Sequence, residues 1–170
     1  MESSTKEWWG PRIWNILHSL AELSNRRDCM FLWKHILRRT ADILPCEACR
    51  NHFHQRIPLF RTSTFLSSEE VRERIREFLW SAHQDVNGRL GKEGIPKETL
   101  AAVYTQDSIH HRIMSGVDEL VQRFSSDNVL DRFHANMPIL WKRDIQTLLH
   151  LFTTPEPPLH RGSTRTGRRM

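Results

Sequence analysis

Val71, Ile75, Phe78, Leu79, Ala82, Val86 and Leu90 recur at steps of mostly three and four residues. An α-helix with one apolar face produces this spacing, because 3.6 residues per turn bring every third or fourth side chain back to one side. The period returns in Trp9, Ile13, Ile16, Leu17, Leu20 and Leu23, in Phe31, Leu32, Ile36, Leu37 and Ile43, and in Ile109, Ile113, Val117, Leu120, Val121 and Phe124. No stretch of useful length alternates apolar and polar residues, so nothing specifies a strand. The pattern predicts an all-α fold, a helical bundle.

Local signals divide these helices. Pro11 sits where a first helical turn tolerates it. Asp28 suits the cap of a second helix, which stops before Pro45. A short third helix begins near Cys46 and fades near Pro58. Ser67 and Glu70 form a capping box for the most regular helix, and Gly88, Gly91 and Gly94 loosen and end it. Pro96 opens a helix containing Leu100, Val103 and Tyr104. Residues 127–152 make a last helix, or a pair divided at Pro138.

A chain of 170 residues suits one domain, with room for an appendage. No apolar run approaches the roughly 18 residues of a membrane span. Met1 to Glu7 is polar and shows neither a signal-peptide nor a transit-peptide pattern, which predicts an intracellular protein with no secretory leader. Three cysteines exclude a disulfide-stapled miniature domain. The net charge is +5, and residues 153–170 supply much of it through Arg161, Arg165, Arg168 and Arg169 against Glu156. Set among Pro, Gly, Ser and Thr, these arginines read as a disordered, solvated tail rather than a nucleic-acid site.

Chemistry concentrates in Leu44-Pro45-Cys46-Glu47-Ala48-Cys49-Arg50. Two cysteines three apart at a helix start can close a disulfide, and the helix dipole there favours a thiolate. Such a pair suits two-electron dithiol–disulfide exchange. Zinc held by Cys46, Cys49, His52 and His54 is the competing reading, but on one helix residue 54 points away from 49 and 52. No metal is therefore expected, and His52 and His54 read as surface residues. A non-catalytic helical interaction module with a zinc-binding or inert CxxC stays open on these residues alone. A thioredoxin-like protein does not, because no βαβ pattern surrounds the motif.

Two further sets flank the cysteines. Gly10, Trp14 and His18 fall at i, i+4 and i+8, one face of the first helix, and the glycine lets a flat group approach the backbone. Trp80, His83 and Asn87 share a side of the regular helix, with Lys92 at its frayed end. That side is polar yet adjoins the apolar stripe, as a buried cofactor with nitrogens and phosphates requires.

WGPxxWxxxH, then LPCxxC, then HxxVNxxLGK, in this order on consecutive helices, resembles the Erv/ALR family of FAD-linked sulfhydryl oxidases. The likeness spans roughly residues 8 to 104. It implies a four-helix bundle with a short fifth helix, holding FAD at one mouth with the CxxC against the flavin ring. A substrate protein dithiol then reduces the Cys46–Cys49 disulfide, and electrons pass through FAD to O2 as hydrogen peroxide. Cys46 resembles the interchange cysteine and Cys49 the flavin-proximal one. Gly10, Arg12, Trp14 and His18 match the first flavin-contacting helix. Trp80, His83, Asn87 and Lys92 match the segment holding the adenosine and phosphate end, and Tyr104 falls near the adenine. The resemblance also implies a homodimer through the first two helices.

The chain departs from the pattern in Gln84, where the family favours Asn, and in Leu44, where Tyr is frequent. The second disulfide that braces cellular members aligns with Pro58 and Trp80, so it is absent, and no second CxxC serves as a shuttle. This compact form is similar to those of large DNA viruses, which act in the host cytoplasm or virion through a small thiol relay protein. The expected organisation is an oxidase domain at 1–104, an added helical segment at 105–152 and the tail at 153–170. Cys29, outside any motif, reads as a free thiol behaving as a small hydrophobe, with an intermolecular disulfide as the alternative.

Overall fold

The computed structural model describes residues 5–62, 66–105 and 107–156, and among these the chain is helical with no strand. The helices are α1 (Lys6–Leu23), α2 (Met30–Asp42), α3 (Glu47–Arg56), α4 (Ser68–Arg89), the short α5 (Leu100–Tyr104), α6 (Ile109–Ser126) and α7 (Met137–Thr153). The all-α expectation holds, and the apolar stripes read from the sequence are largely the buried faces; Phe31, at the start of α2, and Leu90, just past the end of α4, are exposed instead. Ile16, Leu17 and Leu20 of α1, Ile36 and Leu37 of α2, and Ile75 and Leu79 of α4 meet in one core. No helix among the described residues is long and apolar enough to cross a membrane.

Helix ends follow the sequence where the signal is local. Ser67 Oγ accepts from the Glu70 N–H at 3.3 Å, and the Glu70 carboxylate accepts from the Ser67 N–H at 2.7 Å. These two bonds satisfy donors that a helix start otherwise leaves open. Gly91 has φ +65°, a left-handed conformation that favours glycine, and turns the chain after α4. Pro138 lies in the first turn of α7, so it opens one helix rather than dividing a pair.

Three local expectations need correction. α1 begins at Lys6, which puts Pro11 inside the helix beyond its first turn. Asp28 caps nothing; Arg26 holds both its oxygens, at 3.0 and 2.6 Å, in the 3-10 turn before α2. Thr153 closes α7 instead of starting a tail. The next residues are tied down, since the Arg26 guanidinium donates to the Leu151 and Thr154 carbonyls and Arg27 pairs with Glu156 at 2.9 Å. The remainder of the expected tail, 157–170, lies outside the described residues.

The added segment after Tyr104 joins the bundle. α6 lies against α1 and α7 against α2. Gly116 permits the first contact, because a Cβ there would stand 3.3 Å from Ile16 Cδ1. At the second, Trp141 is fully buried, its indole N–H donating to Thr40 Oγ1 at 2.9 Å, and Arg39 pairs with Asp144 at 2.8 Å. Ile113, Val117, Leu120, Trp141 and Ile145 therefore belong to the same core as the first four helices. Cys29 is a free thiol with no exposed surface, donating to the Arg26 carbonyl at 2.9 Å. Burial pushes that thiol up to about 12.

Candidate redox site at the bundle mouth

The chain leaves α2 at Ile43, and Pro45 prevents the helix from continuing. Cys46 becomes the N-cap of α3, in an extended conformation, and its sulfur accepts from the Cys49 N–H at 3.2 Å. Cys46 and Cys49 are joined by a disulfide with Cα atoms 5.1 Å apart. When the bond is reduced, the same free N–H groups and the helix dipole favour a thiolate at Cys46. Both cysteines are half-buried, and both face the bundle interior.

The interior side is a cavity of about 660 Å³, within the range of small-molecule sites. Its floor is apolar, from Ile13 and Leu17 of α1 and Phe53 of α3. The α3 wall presents Cys46 and Cys49, and the α4 wall His83, Val86 and Asn87. Lys6, Arg89 and Lys92 line it as well, with Glu7 and Glu93 beside them. Gly10 also lines it, and a Cβ there would meet no protein atom within 4 Å. Across the cavity wall the rings form a continuous row. Trp14 stacks on His83 with centroids 4.3 Å apart and planes 6° from parallel. His83 Nδ1 lies 3.1 Å from His18 Nε2, one ring donating and the other accepting. His18 in turn stacks on Tyr104 at 4.6 Å.

This packing determines charge. Burial, reinforced by the neighbouring His83, lowers His18 to about 3. Burial and nearby Lys92 lower His83 to about 4. Both imidazoles are neutral at pH 7, so they hydrogen-bond without repelling a cation. Their folded values lie below the ordinary 6.5, so between pH 6.5 and about 4 the unfolded chain binds more protons than the native one. Stability is therefore lost as pH falls through this window. The unfolding midpoint is expected to drop between pH 6.5 and 5, and His18→Asn to flatten that drop. An unchanged slope in the variant would remove His18 from this account.

Of the residues singled out in the sequence, Gly10, Trp14, Cys46, Cys49, His83, Asn87, Lys92 and Tyr104 line the cavity. His18, only 1% exposed, stands behind Trp14 and His83 as their support. Trp80 also acts from behind, donating to the Ile95 carbonyl at 2.8 Å and so fixing the turn after α4. Gln84 donates to the same carbonyl and fills the space beside Gly94, which gives its departure from Asn a structural role. Arg12 is placed elsewhere. It stacks on Trp8 at 4.4 Å and pairs with Glu119 of α6 at 3.4 Å. Residues two apart on a helix face different sides, so Arg12 cannot share the face of Gly10 and Trp14.

His52 was missed. It is not a surface residue: its side chain is 14% exposed, lines the cavity three residues after Cys49, and lies 2.6 Å from Asp85. The usable signal was that three-residue step, which puts it on the cysteine's face. His54 does lie at the surface, paired with Asp42 at 2.9 Å, so the two histidines serve different carboxylates. Asp85 also meets Arg56 at 3.4 Å, and Arg56 donates to Ser81 at 2.8 Å. This polar cluster joins α3 to α4, the pair of helices that lacks the disulfide brace. Among the described residues no group of three or more His, Cys, Asp or Glu is arranged to hold a metal ion.

Fold and site together define a helical-bundle protein whose cysteine pair is set in the wall of an aromatic, ligand-sized cavity. A model of the Erv1/Alr family matches residues 11–106, more than half of the chain, and the chain belongs to that family. No curated protein and no solved structure matches it at a significant level.

Proposed function

We propose that this chain is an FAD-linked thiol oxidase that introduces disulfides into protein dithiols. The observation that carries the reading is one cavity with the Cys46–Cys49 disulfide on one wall and the Trp14–His83 stack on another. The residues fit the cofactor. Gly10 leaves the α1 backbone open to a flat ring. Neutral His83 and Asn87 offer hydrogen bonds, Lys92 a cation for the diphosphate, and Tyr104 an aromatic surface beside them. Bound there, FAD would accept two electrons from the reduced pair and deliver them to O2, giving hydrogen peroxide.

The chain's own step is thiol–disulfide exchange. A substrate thiolate attacks Cys46 Sγ, the Cys46–Cys49 bond breaks, and Cys49 leaves as a thiolate. The second substrate thiolate then attacks the mixed disulfide, releasing Cys46 and the oxidised substrate. Substrate loses two electrons and the cysteine pair gains them. The N-cap position assists the second departure, because α3 N–H groups stabilise the Cys46 thiolate. The homodimer belongs to the same proposal, with its interface away from the faces of α1 and α2 that α6 and α7 cover.

Gly10→Ala tests the fit. A glycine inside a helix costs about 0.5–1 kcal/mol relative to alanine, and here the added methyl meets no protein atom. The flavin-free variant should be more stable than the parent by that amount in denaturant titration, yet retain less FAD after purification. Equal FAD content would show that the Gly10 face does not border the cofactor.

A further inference from the structure

We propose that residues 127–136, between α6 and α7, form a docking element for polypeptide dithiols, with Phe133 as its apolar anchor and Arg132 as its charged one. The inference rests on the oxidase reading and adds a substrate class to it. The segment lies outside the residues matched by the family model, yet the structure ties it to the cysteine helix. Arg50, directly after Cys49, donates to the Leu44 carbonyl at 3.2 Å and to Asp131 at 3.3 Å. Its guanidinium thus joins the approach to Cys46 with the α6–α7 connection, and its side chain is only 12% exposed. Arg50 is a positioning residue.

The segment is held in shape. Leu130 is buried in the core. The Asp131 carboxylate accepts from the backbone N–H groups of Phe133 and His134, at 2.9 and 3.1 Å, and from the His134 ring at 2.7 Å. These bonds fix a turn that leaves Phe133 at 86% exposure, the highest of the large apolar side chains among the described residues. Removing such a ring from water is favourable, so a fixed, exposed phenylalanine is a contact waiting for a partner. Asp131 is paired with Arg50 and hydrogen-bonded to His134, whereas Arg132 is exposed with no ion-pair partner among the described residues.

The reaction itself brings the partner. A polypeptide that delivers a thiolate to Cys46 Sγ meets the surface beside the α3 N-terminus, where Arg50, one helical turn from Cys46, reaches Asp131. The chemistry of the patch selects a dithiol segment with an apolar and an acidic residue near its cysteines. A small dithiol reaches the disulfide without touching Phe133.

The test compares two substrates on the FAD-loaded protein: dithiothreitol, and a reduced CxxC peptide flanked by leucine and glutamate. Phe133→Ser should raise KM for the peptide about tenfold with kcat unchanged, the signature of lost binding rather than lost chemistry. Turnover of dithiothreitol should stay within about twofold, and Arg132→Ser should weaken the peptide alone, less so at high salt. Peptide kinetics unchanged by Phe133→Ser would overturn the proposal, as would an equal loss on both substrates. A parent dimer that Phe133→Ser converts to a monomer would also overturn it, by assigning the ring to a second copy of the chain. A parent unable to oxidise dithiothreitol would instead remove the oxidase reading, a separate failure.

Discussion

Cys46→Ser and Cys49→Ser should each lower thiol oxidation at least about a thousandfold, because a serine hydroxyl cannot form the disulfide through which the substrate is oxidised. Their spectra should differ. Cys49 shares its helix face with His52 and Phe53, and the Phe53 ring lies 6.2 Å from Trp14 on the opposite wall. Both cysteines line the cavity, and the oxidase reading sets Cys49 against the flavin, so in Cys46→Ser the FAD-loaded variant should gain a long-wavelength absorption band from the remaining thiolate. In Cys49→Ser the remaining sulfur is the N-cap of α3, and no such band should form. Bands appearing in the reverse order would exchange the two roles.

Trp141→Ala should destabilise the protein by about 3–5 kcal/mol, measured as a shift in the denaturant midpoint. The indole has no exposed surface and fills the contact between α7 and α2, so its loss leaves a cavity that the rest of the core cannot close. Domains have only about 5–15 kcal/mol of net stability, so this one substitution removes much of it. The effect should reach the redox site. α2 ends at Asp42 and leads directly into Leu44, Pro45 and Cys46, and Thr40, the partner of Trp141, lines the cavity. A loss below about 1 kcal/mol, with the cavity region unaffected, would make α7 an appendage instead.

The features legible in the sequence are those set by neighbours in the chain. Apolar spacing marked the buried helix faces, and Ser67 with Glu70 marked a helix start, because both depend on contacts within a turn or two. The three motifs marked the walls of one cavity through Gly10 and Trp14 of α1, the cysteine pair of α3, and His83 and Asn87 of α4, while His18 and Trp80, on the same helix faces, stand behind it. What stayed hidden depends on partners distant in the chain. Asp28 has the right residue type for a cap, but Arg26 takes it, and that arginine is itself fixed by the Leu151 and Thr154 carbonyls at the end of α7. His52 looked like a surface residue until α4 brought Asp85 to it. Arg12 matched a motif by position, yet helical geometry turns it toward α6, a helix outside the motif. Nothing in the composition of residues 105–152 announced that they would cover α1 and α2. That outcome rests on shape, as in the close approach of Gly116 to Ile16.

The most direct test of the central claim is the visible absorption of the purified protein, followed without oxygen as a dithiol is added and then as air is admitted. The account predicts the yellow absorption of bound, oxidised flavin, its bleaching by the dithiol through Cys46–Cys49, and its return with hydrogen peroxide in air. A colourless protein that takes up no added FAD, or a yellow one that the dithiol does not bleach, would contradict it.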